Sequence, residues 1–421
     1  MTILFIAALL WLALVSELLG SGLAAVKFSA PVLVSMSSDA ETDKNLPVVP
    51  DRFFGLHLGF MFGVHGGQSS FDHSRDGGNS WTSAQIDAAD WGDVGGIAVP
   101  VFSDNITSGF PSAVDAYHDL GSVAVSSSAS GWSRRNVTTI ATDSRGQLIA
   151  SSDVSKTVTF TGIPSPGINY SVAQANPQRM YGMLRRDDAV FVTAVAIIWN
   201  GLAANPSPDG PIIPWSLVAF SSNDTYHWEY LSIIANISDF NWSTFGPTES
   251  DISFLSDRRT LICVIRMDGD ANCDTGLYRY FYAARSSDGG RSWSKPSPMQ
   301  GLGCVRPKLL LLNAGPLLLT GGRLCIENTK DILLWISLDG SARNWTSFSL
   351  TYHHNQQWHG DARFLFDALV NDTSAWQSLA YTSLVPLGDN SAAIFYQKFF
   401  TPEWPPWPSA TFMMQVQVTP E

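Results

Sequence analysis

Helical periodicity is nearly absent from this 421-residue chain, which removes the helical fold classes and leaves an all-β protein. Cysteine is scarce. Cys263, Cys273, Cys304 and Cys325 include no CxxC pair and no His/Cys spacing of a zinc site, so neither a metal nor another cofactor is expected. Basic residues are in deficit, with 25 Lys and Arg against 37 Asp and Glu and a net charge of −12. That field repels nucleic acid and anionic lipid, and excludes both as partners. An anionic ligand then requires a local cluster of arginines working against the global charge. No Lys or Arg precedes the apolar run near the N-terminus, so only the α-amine supplies its positive end.

Hydrophobic residues make up 45% of the chain, enough for a real core. Residues 1–24, an apolar run followed by small residues, read as a secretory signal cleaved after Ala24. Glu17 interrupts the run before ~18 apolar residues accumulate, so no stable membrane insertion is expected after cleavage. The alternative is a membrane anchor made by an uncleaved segment. Eight N-x-S/T sequons, at Asn105, Asn136, Asn169, Asn223, Asn236, Asn241, Asn344 and Asn371, fit a secreted glycoprotein. No linker divides residues 25–421, because the Pro-rich patches are too short, and one domain is expected.

Short runs rich in Val, Ile, Phe and Trp alternate with Gly, Ser, Asp and Pro clusters throughout. Residues 249–266 read as a hairpin turning near Arg258. Residues whose numbers sum to about 516 then face each other, which sets Glu249 opposite Met267 and Arg266 opposite Ser250. A carboxylate and a guanidinium meet at its open end, where a simple rim salt bridge is the plainest outcome. Residues 304–325 read as a second hairpin turning at 313–315, with Cys304 facing Cys325 and Arg306 facing Arg323. A Cys304–Cys325 bridge is expected, which leaves Cys263–Cys273 by elimination.

A repeat runs through the chain. Residues 74–81 and 286–293 share S-x-D-G-G-x-S-W, and 337–345 is the same with one residue inserted. Residues 221–228 are a decayed copy with Asn223 in the Asp position, and 126–132 a more decayed fifth. The Asp caps turn amides, Gly supplies positive φ and Trp packs beneath the hairpin. One such stamp per four-stranded sheet indicates a β-propeller.

These residues resemble the Asp-box repeat of the sialidase superfamily, over roughly residues 32–397. The resemblance implies a six-bladed β-propeller and retaining cleavage of terminal sialic acid or a related acidic sugar. A tyrosine nucleophile is primed there by a glutamate, arginines clamp the sugar carboxylate, and an aspartic acid protonates the leaving group. A neutral phenol suits an anomeric carbon that carries a carboxylate, and arginine forks suit that carboxylate. Glu249 and Arg266 resemble the family's glutamate and second arginine. Tyr381 resembles the nucleophile, and Arg323, with Arg306 as its rival, the third arginine. The Asp boxes are implied to be structural.

The departures are specific. Nothing reads R-I-P, where the family keeps its first arginine, and Arg52 stands in the wrong context. The closing Tyr-Glu is Tyr396-Gln397. The acidic loop is missing, with Asp72 and His65 the nearby substitutes. The polar, aromatic run 353–359 reads either as a sugar-binding loop, with Trp358 stacking on a pyranose, or as an ordinary connection between blades. The same residues therefore also fit a carbohydrate-binding propeller that has lost its chemistry, or an interaction scaffold.

Overall fold

The computed structural model describes residues 25–36, 53–55, 61–64, 70–85, 97–101, 113–117, 131–142, 148–162, 175–185, 191–199, 206–207, 210–211, 215–224, 227–236, 239–240, 246–268, 280–303, 305–322, 331–366, 381–398 and 410–419. The proposed signal segment lies outside them. Among the described residues no helix is long and apolar enough to cross a membrane.

The protein is all-β, built of antiparallel sheets. One sheet holds Phe53–Gly55, Met61–Val64, Ser70–Ser74 and Thr82–Gln85. Another holds Gly246–Phe254, Leu261–Asp268, Tyr282–Ser286 and Ser297–Pro298. The next holds Val305–Leu311, Leu317–Gly322, Ile332–Ser337 and Thr346–Ser349. An eight-stranded sheet spans Ile97–Val101 to His227–Ala235. It consists of two four-strand runs joined where Leu148–Thr161 pairs in parallel with His227–Ala235. In the last sheet, Ser383–Gly388, Ser391–Lys398 and Ala410–Thr419 are joined by Ala25–Phe28 and Val32–Met36, so segments from both ends of the described chain share one ladder.

The strand Leu261–Asp268 explains its own position. Residues 261–265 are an unbroken apolar run and all are buried, as a strand covered on both faces must be. Its partner Gly246–Phe254 is the opposite case. Thr248, Glu249, Ser250, Asp251 and Ser253 are all buried polar groups, which a protein retains only where partners satisfy them.

Neighbouring sheets pack face to face. Leu217 and Ile234 pack with Cys263 and Ile265; Ile262 and Val264 with Leu319 and Trp335. Leu334 and Ile336 pack with Ile394 and Phe412, while Phe395 and Met413 meet Met61 of the sheet nearest the N-terminus. Two carboxylates peg sheet to sheet. Glu249 accepts the Arg306 amide at 3.1 Å and Asp251 accepts the Leu309 amide at 2.7 Å.

Each S-x-D turn closes on its own side chains. Ser74 donates to Asp76 at 2.9 Å, and Asp76 accepts the Ser80 amide and hydroxyl at 2.9 and 2.7 Å. Ser286, Asp288 and Ser292 repeat this at 2.8, 2.9 and 2.6 Å. Both glycines of each turn have positive φ, between 71° and 90°. In the third copy Asp339 accepts from Ser337 and from the Ser341 amide. In the fourth the acidic role falls to Asp224, bonded to Ser222 and to the His227 amide, rather than to the Asn223 position. That turn is one residue shorter, which moves the register. The fifth copy falls almost wholly outside the described residues.

Two further expectations are corrected. The run 353–359 is not a sugar-binding loop, because Leu350–Gln357 is an α-helix capped by Ser349, whose hydroxyl accepts the Tyr352 amide. His354 is fully buried, bonds the Tyr396 hydroxyl at 2.8 Å and stacks on Trp358, which also packs against Phe364 and Phe412. Nor is there a Cys263–Cys273 bridge: Cys263 is a free, buried thiol. Cys273, Cys304 and Cys325 lie outside the described residues.

Candidate active site

The hairpin of Gly246–Phe254 and Leu261–Asp268 turns at 256–259, where Asp257 accepts the amides of Arg259 and Thr260. Its register runs one residue tighter than expected. Ser250 faces Ile265 and Pro247 faces Met267, with an irregularity that leaves Thr248 and Glu249 together across from Arg266. Glu249 therefore does not face Met267, yet the two charges still meet: Arg266 Nη1 donates to Glu249 Oε2 at 2.8 Å. This is no rim salt bridge, since the Glu249 side chain is only 4% exposed.

The second hairpin turns at 313–315, where Gly315 has φ 115° and its amide bonds Leu312 O. Val305 pairs with Gly322 and Lys308 with Thr320. Arg306 and Pro307 thus form a bulge across from Gly321. Arg306 has φ 42°, the left-handed region that residues with a Cβ seldom adopt without compensation. The compensation is visible. The bulge turns the Arg306 amide onto Glu249 Oε2 and brings its Nη1 to 3.8 Å from Glu249 Oε1. Gly321 is required here, because a Cβ would lie 2.7 Å from Phe281 Cζ and 2.8 Å from Val305 O.

Tyr381 arrives from the last sheet, just before Ser383–Gly388, and its hydroxyl donates to Glu249 Oε1 at 2.8 Å. The Arg306 guanidinium lies 5.5 Å from the Tyr381 ring centroid. Next to Tyr381, the buried Thr382 hydroxyl bonds Thr320 at 2.7 Å, which ties this segment to the strand opposite Arg306. Three sheets thus deliver a phenol, a carboxylate and two guanidinium groups to one spot.

The electrostatics follow from that arrangement. Burial alone would push the Glu249 carboxyl up. The charges of Arg266 and Arg306, with hydrogen bonds from Arg266 and Tyr381, outweigh it and hold the group at about 2. Burial, and then the Glu249 charge, push the Tyr381 phenol up. The resting pair is a carboxylate accepting from a neutral phenol. The preorganised dipoles could steer that proton during attack on an electrophilic carbon.

Sequence reasoning paired Glu249 with Arg266 and singled out Tyr381, and the structure brings these three together with Arg306. Arg323, Arg52 and His65 lie outside the described residues. Asp72 is buried in its own strand and accepts from Ser83 at 2.5 Å. Tyr396 and Gln397 are buried in the last sheet, with Gln397 facing Thr411. Thr320, Thr382 and Gly321 were missed; the G-G dipeptide in the second hairpin was the signal for a bulge. Among the described residues no group of three or more His, Cys, Asp or Glu could hold a metal.

No protein-family model matches the sequence, and no curated protein matches it. Solved structures do resemble the fold. A protein of unknown function from Dyadobacter fermentans superposes with TM-score 0.54 at 13% identity, over 93% of this chain and 99% of its own. The GH93 α-L-arabinofuranosidase of Fusarium graminearum, solved with arabinobiose, gives TM-score 0.55 at 13% identity, over 92% and 97%. At such identities the likeness is one of fold.

Proposed function

We propose that this chain is a six-bladed β-propeller of the sialidase type that hydrolyses terminal sialic acid or a related acidic sugar with retention. Counting the eight-stranded sheet as its two four-strand runs, and setting aside the short ribbon of Pro206–Ser207 and Gly210–Pro211, gives six units, and the successive face-to-face cores suit a ring of blades. The observation that carries the function is the 2.8 Å hydrogen bond from Tyr381 to Glu249, with two arginines beside it.

In this reading Tyr381 attacks the anomeric carbon as the bond to the aglycone oxygen breaks, a water protonates that leaving oxygen, and Glu249 takes the phenol proton. A second water then displaces Tyr381, which recovers its proton from Glu249, while Arg266 and Arg306, with Arg323, hold the sugar carboxylate. With the phenol held above its ordinary value and Glu249 well below its own, full proton transfer at rest is uphill. Proton transfer must therefore accompany bond formation at carbon. A substrate carboxylate also competes with Glu249 for the two guanidinium groups, so binding makes Glu249 a stronger base when it is needed.

The test is hydrolysis of a fluorogenic sialoside by the purified protein, with an α-L-arabinofuranoside as the neutral comparison. Turnover of the sialoside that falls at least 100-fold in Tyr381→Phe supports the reading. Unchanged turnover in that variant removes the assigned nucleophile. A second reading is an acidic-sugar-binding propeller without turnover, favoured by the loss of the family's first arginine context and closing Tyr-Glu, which is Tyr396-Gln397 here. Sialoside binding without hydrolysis selects it.

A further inference from the structure

Two further arginines, Arg285 and Arg343, lie toward the other end of the same strands. A cleft of about 510 Å3 opens between the sheet that carries Glu249 and the third S-x-D turn. Arg285 and Arg343 line it, with Ser294, Ser297, Gln300 and Trp345. Arg285 faces Ile262, four residues along the strand from Arg266, so the two sites are separated by roughly 13 Å of strand.

The cleft is cationic by construction. Among the described residues that line it none is acidic. The two nearest turn carboxylates are committed: Asp288 to Ser286 and Ser292, and Asp339 to Ser337 and Ser341. Arg285 Nη2 donates to Ala342 O at 2.9 Å, which points its guanidinium at the turn bearing Arg343. Burial, and then the Arg343 charge, lower the proton affinity of Arg285, as expected when two cations share a confined space. Two like charges held together without a carboxylate, on a chain of net charge −12, are stabilised by an anion that bridges them. The remaining wall suits a sugar. The Ser294 hydroxyl accepts the Arg285 amide at 3.0 Å and keeps its proton to donate, Ser297 and Gln300 are exposed, and Trp345 offers a partly buried apolar ring.

We propose that this cleft is a second binding site, specific for a carboxylated saccharide, whose carboxylate bridges the Arg285 and Arg343 guanidinium groups while the sugar ring rests along Trp345. It is independent of the Tyr381 centre and holds whether or not that centre turns over.

The test is calorimetric titration with digalacturonate and with its uncharged dimethyl ester. The protein carries Asn344→Gln, which keeps an N-glycan off the rim. Digalacturonate should bind, the ester at least tenfold more weakly, and Arg343→Ala should weaken digalacturonate at least tenfold. Arg343 is exposed, so this variant should keep the fold, read as an unchanged urea midpoint. Arg285→Lys keeps the charge but loses the fork, and should show an intermediate loss. Phenylglyoxal modification of Arg343, read by peptide mass spectrometry, should be slowed by digalacturonate. No digalacturonate binding, equal affinity for acid and ester, or Arg343→Ala affinity within twofold of the parent overturns the proposal.

Discussion

Replacing Glu249 with Gln removes the one negative charge that Arg266, Arg306 and Tyr381 share, while leaving the shape almost unchanged. Two consequences can be worked out. At neutral pH the variant deprives two guanidinium groups of the Glu249 charge, and breaking a buried pair in this way costs about 3–5 kcal/mol. The second consequence depends on pH. The folded-state value for Glu249 is about 2, against 4.5 for the free group. A carboxyl depressed in the folded state contributes stability that is fully present above the unfolded value and is lost as pH falls through the folded one. The window is therefore pH 4.5 down to 2, and the full contribution is on the order of 3 kcal/mol. The stability advantage of wild type over Glu249→Gln should accordingly shrink by about 2 kcal/mol between pH 5 and pH 3. Urea denaturation followed by tryptophan fluorescence at several pH values measures both quantities. An advantage that stays constant across that range, or a variant within about 0.5 kcal/mol of wild type at pH 7, would refute the account of a carboxylate held ionised by its arginines.

Three further outcomes follow from particular contacts. Gly321→Ala forces a Cβ against Phe281 and the Val305 carbonyl, so it should destabilise by about 1–3 kcal/mol in urea, and sialoside turnover should fall as the Arg306 bulge shifts. Cys263, buried and free with its thiol pushed up by burial, should resist iodoacetamide in the folded protein and react after unfolding without reductant, as peptide mass spectrometry will show. Asp288→Ala removes the acceptor of the Ser286, Ser292 and amide bonds in its turn, and should cost about 1–2 kcal/mol in thermal or urea unfolding with little effect on sialoside turnover.

How much could be read from residues alone depended on how local the cause was. The S-x-D turns were legible because the whole hydrogen-bond set lies within eight residues. Glu249 and Arg266 were legible as a pair because both sit at the open end of one hairpin, and a register error of one residue still leaves long side chains in reach. What escaped has non-local causes. The Arg306 bulge lies across from Gly321, where the room is limited by Phe281, 40 residues back in the chain. The decayed turn was misread because it closes one residue early, on Asp224 and His227. The helix at 350–357 has no apolar stripe, and only Leu350, Thr351 and His354 are buried in it, so periodicity gave no sign of it. The thiol of Cys263 was assigned a bridge by counting, whereas its place inside the core follows from Leu261–Asp268 being covered on both faces.

The oxygens of Glu249 are divided between a guanidinium, a phenol and the main-chain amide of a different sheet. One residue is thus both reagent and rivet. Mutation at this position is penalised through folding alone, even in a lineage that no longer cleaves anything. Retention of the acid in relatives would for that reason be poor testimony to turnover, and Tyr381, which bonds only the outer edge of this arrangement, is where the loss of chemistry would first be written.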